Sequence, residues 1–166
     1  AKSYYYQGRV YHDMQRLAEE ALCYKKAANE VEKITSHRFK SLIYNNYGLL
    51  CLYQDLYNEA ELMYKKSYYT MLQQAHDTCA SAYILLDICH VYLIKNEYNL
   101  ALNHYKEALA IATTYNEREM QSAILYDIGL FYDNMGMIDS AVYYIQESLF
   151  YNSDIVSMDE VSLGMA

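Results

Sequence analysis

A four-residue phrase recurs along this 166-residue chain: Tyr24-Lys25-Lys26-Ala27, Tyr64-Lys65-Lys66-Ser67, Tyr105-Lys106-Glu107-Ala108 and Ile145-Gln146-Glu147-Ser148. Successive copies are 40, 41 and 40 residues apart. A fixed period of this size marks stacked supersecondary units, each too small to bury its apolar face alone. Such arrays mostly present surfaces to partners, and few are sites of bond chemistry.

Other positions keep the same register. Sixteen residues before each phrase stands a small residue: Gly8, Gly48, Cys89 and Gly129. Three residues further on come Tyr11, Cys51, Tyr92 and Tyr132. Four residues before the phrase lie Ala60, Ala101 and Ala141, whereas the first copy has Glu20 in register with Ala21 beside it. The small residues let two helices approach closely, and the alanines do so from the other side. Tyr24, Tyr64 and Tyr105 are expected to contribute large half-buried area with a polar tip.

These residues resemble the tetratricopeptide repeat (TPR). The third copy reads Leu85-x-x-Ile88-Cys89-x-x-Tyr92 with Ala101-x-x-x-Tyr105. The fourth reads Leu125-x-x-Ile128-Gly129-x-x-Tyr132 with Ala141-x-x-x-Ile145, and the second Tyr44-x-x-Tyr47-Gly48-x-x-Cys51 with Ala60-x-x-x-Tyr64. The resemblance covers about residues 1–152 and implies an all-α fold: an α-solenoid of about four TPR-like hairpins winding into a right-handed superhelix. Two departures stand out. The period exceeds the family's usual 34 residues, and the chain has no proline, so the family's repeat-ending Pro is missing throughout. Long-repeat members of the family include kinesin light chain, LGN-type scaffolds, and bacterial peptide receptors and regulators of the Rap and PlcR kind; the period alone places this chain near them.

The pattern predicts first helices over about 2–14, 38–54, 78–95 and 117–135, and second helices over about 16–35, 57–75, 98–114 and 138–152. The repeats then span about 1–36, 37–76, 77–116 and 117–152. Turns fall at Gln15-Arg16, Gln54-Asp55, Asn96-Glu97 and Gly136, with Ser36, Asp77 and Asn116 as N-caps and Glu119 completing a capping box. Residues 153–166 lack the repeat pattern and read as a C-terminal tail or capping segment. Because the chain starts without Met and already inside a helix, it reads as a piece of a longer protein.

Composition narrows the function classes. Net charge is −8, which argues against nucleic-acid or anionic-membrane partners, since phosphate contacts need clustered Lys and Arg. No stretch approaches the roughly 18–20 apolar residues of a membrane span. Cys23, Cys51, Cys79 and Cys89 form no CxxC pair; they read as reduced, buried thiols, consistent with a cytoplasmic setting. The 22 tyrosines read mainly as core and shoulder packing rather than as a designed aromatic surface. Neither HExxH nor a phosphate-binding or nucleophile-elbow motif occurs, so no metal, cofactor or catalytic residue is expected. His37, His76 and His104 read as surface residues.

The family resemblance implies that the first helices line a concave groove. Positions two, five, six, nine, twelve and thirteen of each repeat then face a partner. They nominate Tyr5, Arg9, His12, Asn45, Asn46, Leu49, Tyr53, Leu86, Asp87, His90, Tyr126, Asp127, Leu130 and Asp133 as groove residues. Position six forms a ladder of Asn46, Asp87 and Asp127. Amides there can pair with a peptide backbone, and acids attract Lys, Arg or a free amine. The same acids argue against clamping a terminal carboxylate. The expected function is a non-catalytic protein- or peptide-binding module, the sensory or scaffold part of a larger bacterial regulatory protein, favouring basic or amide-rich partners. The alternative is an oligomerisation scaffold that self-associates through its open ends or Tyr-rich face, making a homo-oligomer.

Overall fold

A computed structural model describes residues 1–163, with side chains through Tyr151. Eight α-helices follow one another: α1 (Lys2–Asp13), α2 (Leu17–Asn29), α3 (His37–Tyr53), α4 (Tyr57–Tyr69), α5 (Thr78–Ile94), α6 (Tyr98–Thr114), α7 (Arg118–Asn134) and α8 (Ile138–Leu163). They pair as hairpins α1–α2, α3–α4, α5–α6 and α7–α8, and α2, α4 and α6 each pack on the first helix of the next hairpin. The architecture is an all-α solenoid.

Each hairpin turn is built in the same way. One residue per turn takes a left-handed backbone: Gln15, Asp55, Asn96 and Gly136, with φ of 56°, 59°, 60° and 70°. The residue after it donates its N–H to a carbonyl one turn back, as in Arg16 to Tyr11 at 2.9 Å and Glu97 to Tyr92 at 2.8 Å. This closes the preceding helix without proline.

The hairpin seam explains the small residues. A Cβ added to Gly8 would lie 2.9 Å from Tyr24 Cε1, at Gly48 3.0 Å from Tyr64 Cδ1, and at Gly129 2.6 Å from Ile145 Cγ1. In these three hairpins the phrase residue thus lies against the small residue sixteen positions earlier. Tyr24, Tyr64 and Tyr105 are fully buried, at 2%, 1% and 1% exposure, rather than half-buried as expected. The close seam leaves no solvent beside the ring. Where the hairpins begin, two of the small pairs are hydroxyls: Ser41 Oγ lies 2.8 Å from Ser67 Oγ, and Ser122 Oγ 3.2 Å from Ser148 Oγ, all buried. Ala82 and Ala108, buried without polar atoms, hold these positions in the third hairpin.

The junctions between hairpins account for the uneven period. Ser36 accepts from Phe39 N–H at 3.4 Å and Asp77 from Ala80 N–H at 3.0 Å, as N-caps. The extra residue of the 41-residue step falls between Ser67 and Asp77. There α4 runs into a π-helical turn over Thr70–Gln74. A π turn is what a one-residue insertion makes of an α-helix. α4 therefore stops earlier than predicted; α2 does so too, giving way to a short 3₁₀ turn over Val31–Lys33. Asn116 is not an N-cap. It adopts φ of 54° to close α6, leaving Glu117 at the cap position, so the predicted capping box does not form. α8 runs on to Leu163 instead of ending near residue 152, because no Gly or Pro interrupts 138–163. The tail's side chains and residues 164–166 lie outside the described residues.

Cys23, Cys51 and Cys89 are buried thiols, and half-buried Cys79 donates to Glu117. His104 is not a plain surface residue: its ring stacks on Tyr92 at 5.5 Å and it pairs with Glu107. Among the described residues no helix is long and apolar enough to cross a membrane.

Candidate functional site

The odd-numbered helices share one face of the solenoid, and two groups of predicted residues meet there. The first is a polar line crossing α3, α5 and α7. Asn45 donates from Nδ2 to Asp87 Oδ2 at 2.7 Å, joining α3 to α5. His90, one turn after Asp87 and exposed, lies close enough to both Asp87 and Asp127 to favour their charged forms. Burial is the larger influence on both acids and raises their pKa above the ordinary aspartate value; the Asn45 bond partly offsets this at Asp87. The described residues bring Asp127 no hydrogen bond. The phrase tyrosines reach towards this line from beneath. Burial, with Asp87 nearby, pushes the Tyr64 phenol far above its ordinary value, and burial with Asp127 does the same at Tyr105.

The second group surrounds a cavity of about 230 Å³ between α1, α2 and α3. Arg9, His12, Asn46, Leu49 and Tyr53 line it, together with Leu17, Glu20, Tyr24 and Leu50. Arg9 is exposed, and Tyr5 and Asp13 nearby raise its pKa above the ordinary arginine value. Asn46 spends one donor on its own helix, to the Leu42 carbonyl at 2.8 Å. Burial and the Glu20 charge push the Tyr24 phenol up to about 12.

The remaining predicted residues scatter. Tyr5 is not a groove residue. It is 3% exposed and packs edge-on to Phe39 with ring centroids 5.0 Å apart. The start of α1 meets the α2–α3 junction, so this position turns into the core there. Leu86 is half-buried against the core, while Tyr126, Leu130 and Asp133 are exposed along α7. Sequence reasoning missed Glu20 as a site residue. Its signal was a charge standing where the other three hairpins have Ala. Among the described residues, no group of three or more His, Cys, Asp and Glu is placed to hold a metal ion.

No protein-family model and no curated protein sequence matches this chain. Solved structures do match in fold. BtubC (BKLC) from P. vanneervenii superposes with a TM-score of 0.80 at 16% identity, covering 92% of this chain and 63% of that one. The apo form of RapI gives 0.83 at 13%, covering 92% and 56%. The Rap conjugation gene regulator of plasmid pLS20, in complex with the Phr* peptide, gives 0.74 at 14%, covering 88% and 40%. The chain thus spans 40–63% of the length of these three proteins. The superpositions and the repeat geometry together give this chain the TPR-type helical-repeat fold.

Proposed function

We propose that this chain is a non-catalytic protein- or peptide-binding module of the long-repeat TPR kind, the sensory or scaffold part of a larger bacterial regulatory protein. An extended partner segment lies along the odd-helix face, held by Asn45, Asn46, Asp87 and Asp127. The observation that carries this reading is the polar line itself. Two half-buried carboxylates stand on one face of a solenoid, and Asn45 is the only hydrogen-bond donor that the described residues bring to them. Poorly hydrated carboxylates are stabilised by a cation or an N–H donor, so basic or amide-bearing segments are preferred. Exposed Leu49, Tyr126 and Leu130 flank the line and supply apolar contact. A structural neighbour solved in complex with a peptide supports the reading. The test is Asp87→Lys combined with Asp127→Lys, probed against peptides selected on the wild-type protein from a display library. Binding should weaken at least about tenfold with the helical circular dichroism unchanged; unchanged affinity sinks the assignment.

A second reading, self-association, is favoured by the ends of the array. Val10 is 56% exposed where its repeat equivalents Leu50, Val91 and Phe131 are buried, and Val142, Leu149 and Phe150 are exposed on α8. Sedimentation over a concentration series decides it: a monomer throughout excludes this reading.

A further inference from the structure

Glu20 is out of keeping with the repeat that contains it. The equivalent residues Ala60, Ala101 and Ala141 are at most 3% exposed, at the tight crossing of their hairpins. Glu20 occupies the same crossing with a side chain only 7% exposed. One carboxylate oxygen, Oε1, lies 3.0 Å from His12 Nδ1. The other, Oε2, is buried and receives no hydrogen bond from the described residues. A carboxylate withdrawn from water is costly unless its lone pairs are filled, and mere packing would be served by the alanine of the other hairpins. Glu20 also stands in the wall of the cavity between α1, α2 and α3.

We infer that Glu20 anchors a subsite for a primary ammonium group carried by the bound segment, either a lysine side chain or a free peptide amino terminus. The inference rests on the reading of the odd-helix face as a peptide-binding surface. The chemistry follows from what Glu20 has left to offer. With Oε1 engaged by His12, a single oxygen remains. A guanidinium is best matched by two parallel acceptors, whereas an ammonium is a compact point charge that one oxygen can hold. The cavity walls suit a short aliphatic stem: Leu17, Leu49 and Leu50 line it beside the carboxylate. Arg9, the permanent cation of the wall, has Tyr5 and Asp13 for neighbours, and Glu20 is the carboxylate that stands in the wall for an incoming ammonium.

The test is an NMR titration of the ¹⁵N-labelled chain with three small probes. N-acetyl-lysine N-methylamide carries the ammonium on a side chain, alanine amide carries it at the amino terminus, and N-acetyl-norleucine N-methylamide is the uncharged control. The expected result is concentration-dependent shifts at backbone amides within residues 9–24 and 46–53 with one or both ammonium probes, and none with norleucine. Whichever probe responds identifies the source of the group. Glu20→Gln should weaken the response about tenfold. Glu20→Ala should abolish it while leaving Tm equal to or above that of the parent, because it restores the residue of the other hairpins. A drop in Tm for Glu20→Ala would assign Glu20 a structural role and overturn the inference. So would equal shifts with norleucine, or silence of both ammonium probes at about 10 mM, a concentration that detects single-group contacts. Shifts confined to the Asp87 and Asp127 region that persist in Glu20→Gln would overturn the subsite and leave the peptide-binding reading standing.

Discussion

The first and third hairpins have the same fold and use their crossing points differently. In the third, Cys89 and Ala101 are 0% exposed, and the Cys89 thiol donates to the Ala101 carbonyl at 3.3 Å. That seam is filled, and its polar groups are satisfied. In the first, Gly8 takes the place of Cys89 and Glu20 that of Ala101, and a buried carboxylate oxygen beside a cavity receives no donor from the described residues. A repeat array lets such a difference be read directly. Three hairpins show what the fold requires at a position, so the fourth reveals what has been added to it. The third hairpin carries its own poorly hydrated acid, Asp87, on the odd-helix face rather than in the seam, and satisfies it in part through Asn45.

The largest effect is expected from forcing the first hairpin's charge on the third. Ala101→Glu buries a carboxylate in a filled seam and should destabilise by about 3 kcal/mol or more, the cost of an uncompensated buried charge. Equilibrium unfolding in urea measures it. A loss under about 1 kcal/mol would mean that the third seam holds room like the first, and the contrast between them would fail. Next comes exchange of the small residues. Cys89→Gly removes a buried thiol and places glycine inside α5, for a loss of about 2 kcal/mol. The reverse change, Gly8→Cys, sets a Cβ 2.9 Å from Tyr24 Cε1 and should cost about 1–3 kcal/mol by overpacking. If both changes prove neutral, the seam is looser than its distances imply.

The contrast also explains what the sequence made legible. Seam positions recur at every repeat because each hairpin must solve the same packing problem. Gly8, Gly48, Cys89 and Gly129 therefore stood out, as did the turns at Gln15, Asp55, Asn96 and Gly136. The irregular features were less visible. The 41-residue step announced an insertion, but not that α4 would absorb it as a π turn. Asn116 looked like a cap because Asn suits both an N-cap and a left-handed backbone, and only tertiary packing chose between them. Site residues have no periodicity to betray them. Tyr5 occupied a groove position by register, yet the end of the array bends it into the core against Phe39. Glu20 was visible as a departure from the pattern, and its meaning depended on a cavity that no spacing encodes.

The smallest effect expected, and the one most diagnostic of the face, is its pH dependence. Burial raises the folded-state pKa of Asp87 and Asp127 above the ordinary value of 3.8. Below that value both acids are protonated in the folded and unfolded chains, and their burial is tolerated. As pH rises through 3.8 towards the folded-state value, the unfolded chain releases these protons first, so stability falls. Above the folded-state value the loss is complete and constant. Other carboxylates act in the opposite sense: the Lys40 ammonium, hydrogen-bonded to Glu32, lowers the pKa of that acid. The informative quantity is therefore a difference between proteins. Asp87→Asn combined with Asp127→Asn should match the parent's stability near pH 3 and exceed it at pH 7, and thermal unfolding across that range measures the gap. For a basic partner the sign reverses, since ionised acids hold the cation: affinity should rise over the pH interval in which stability falls. A face whose acids were simply solvated would show no stability gap between the two proteins, because its carboxylates would titrate alike in the folded and unfolded chains.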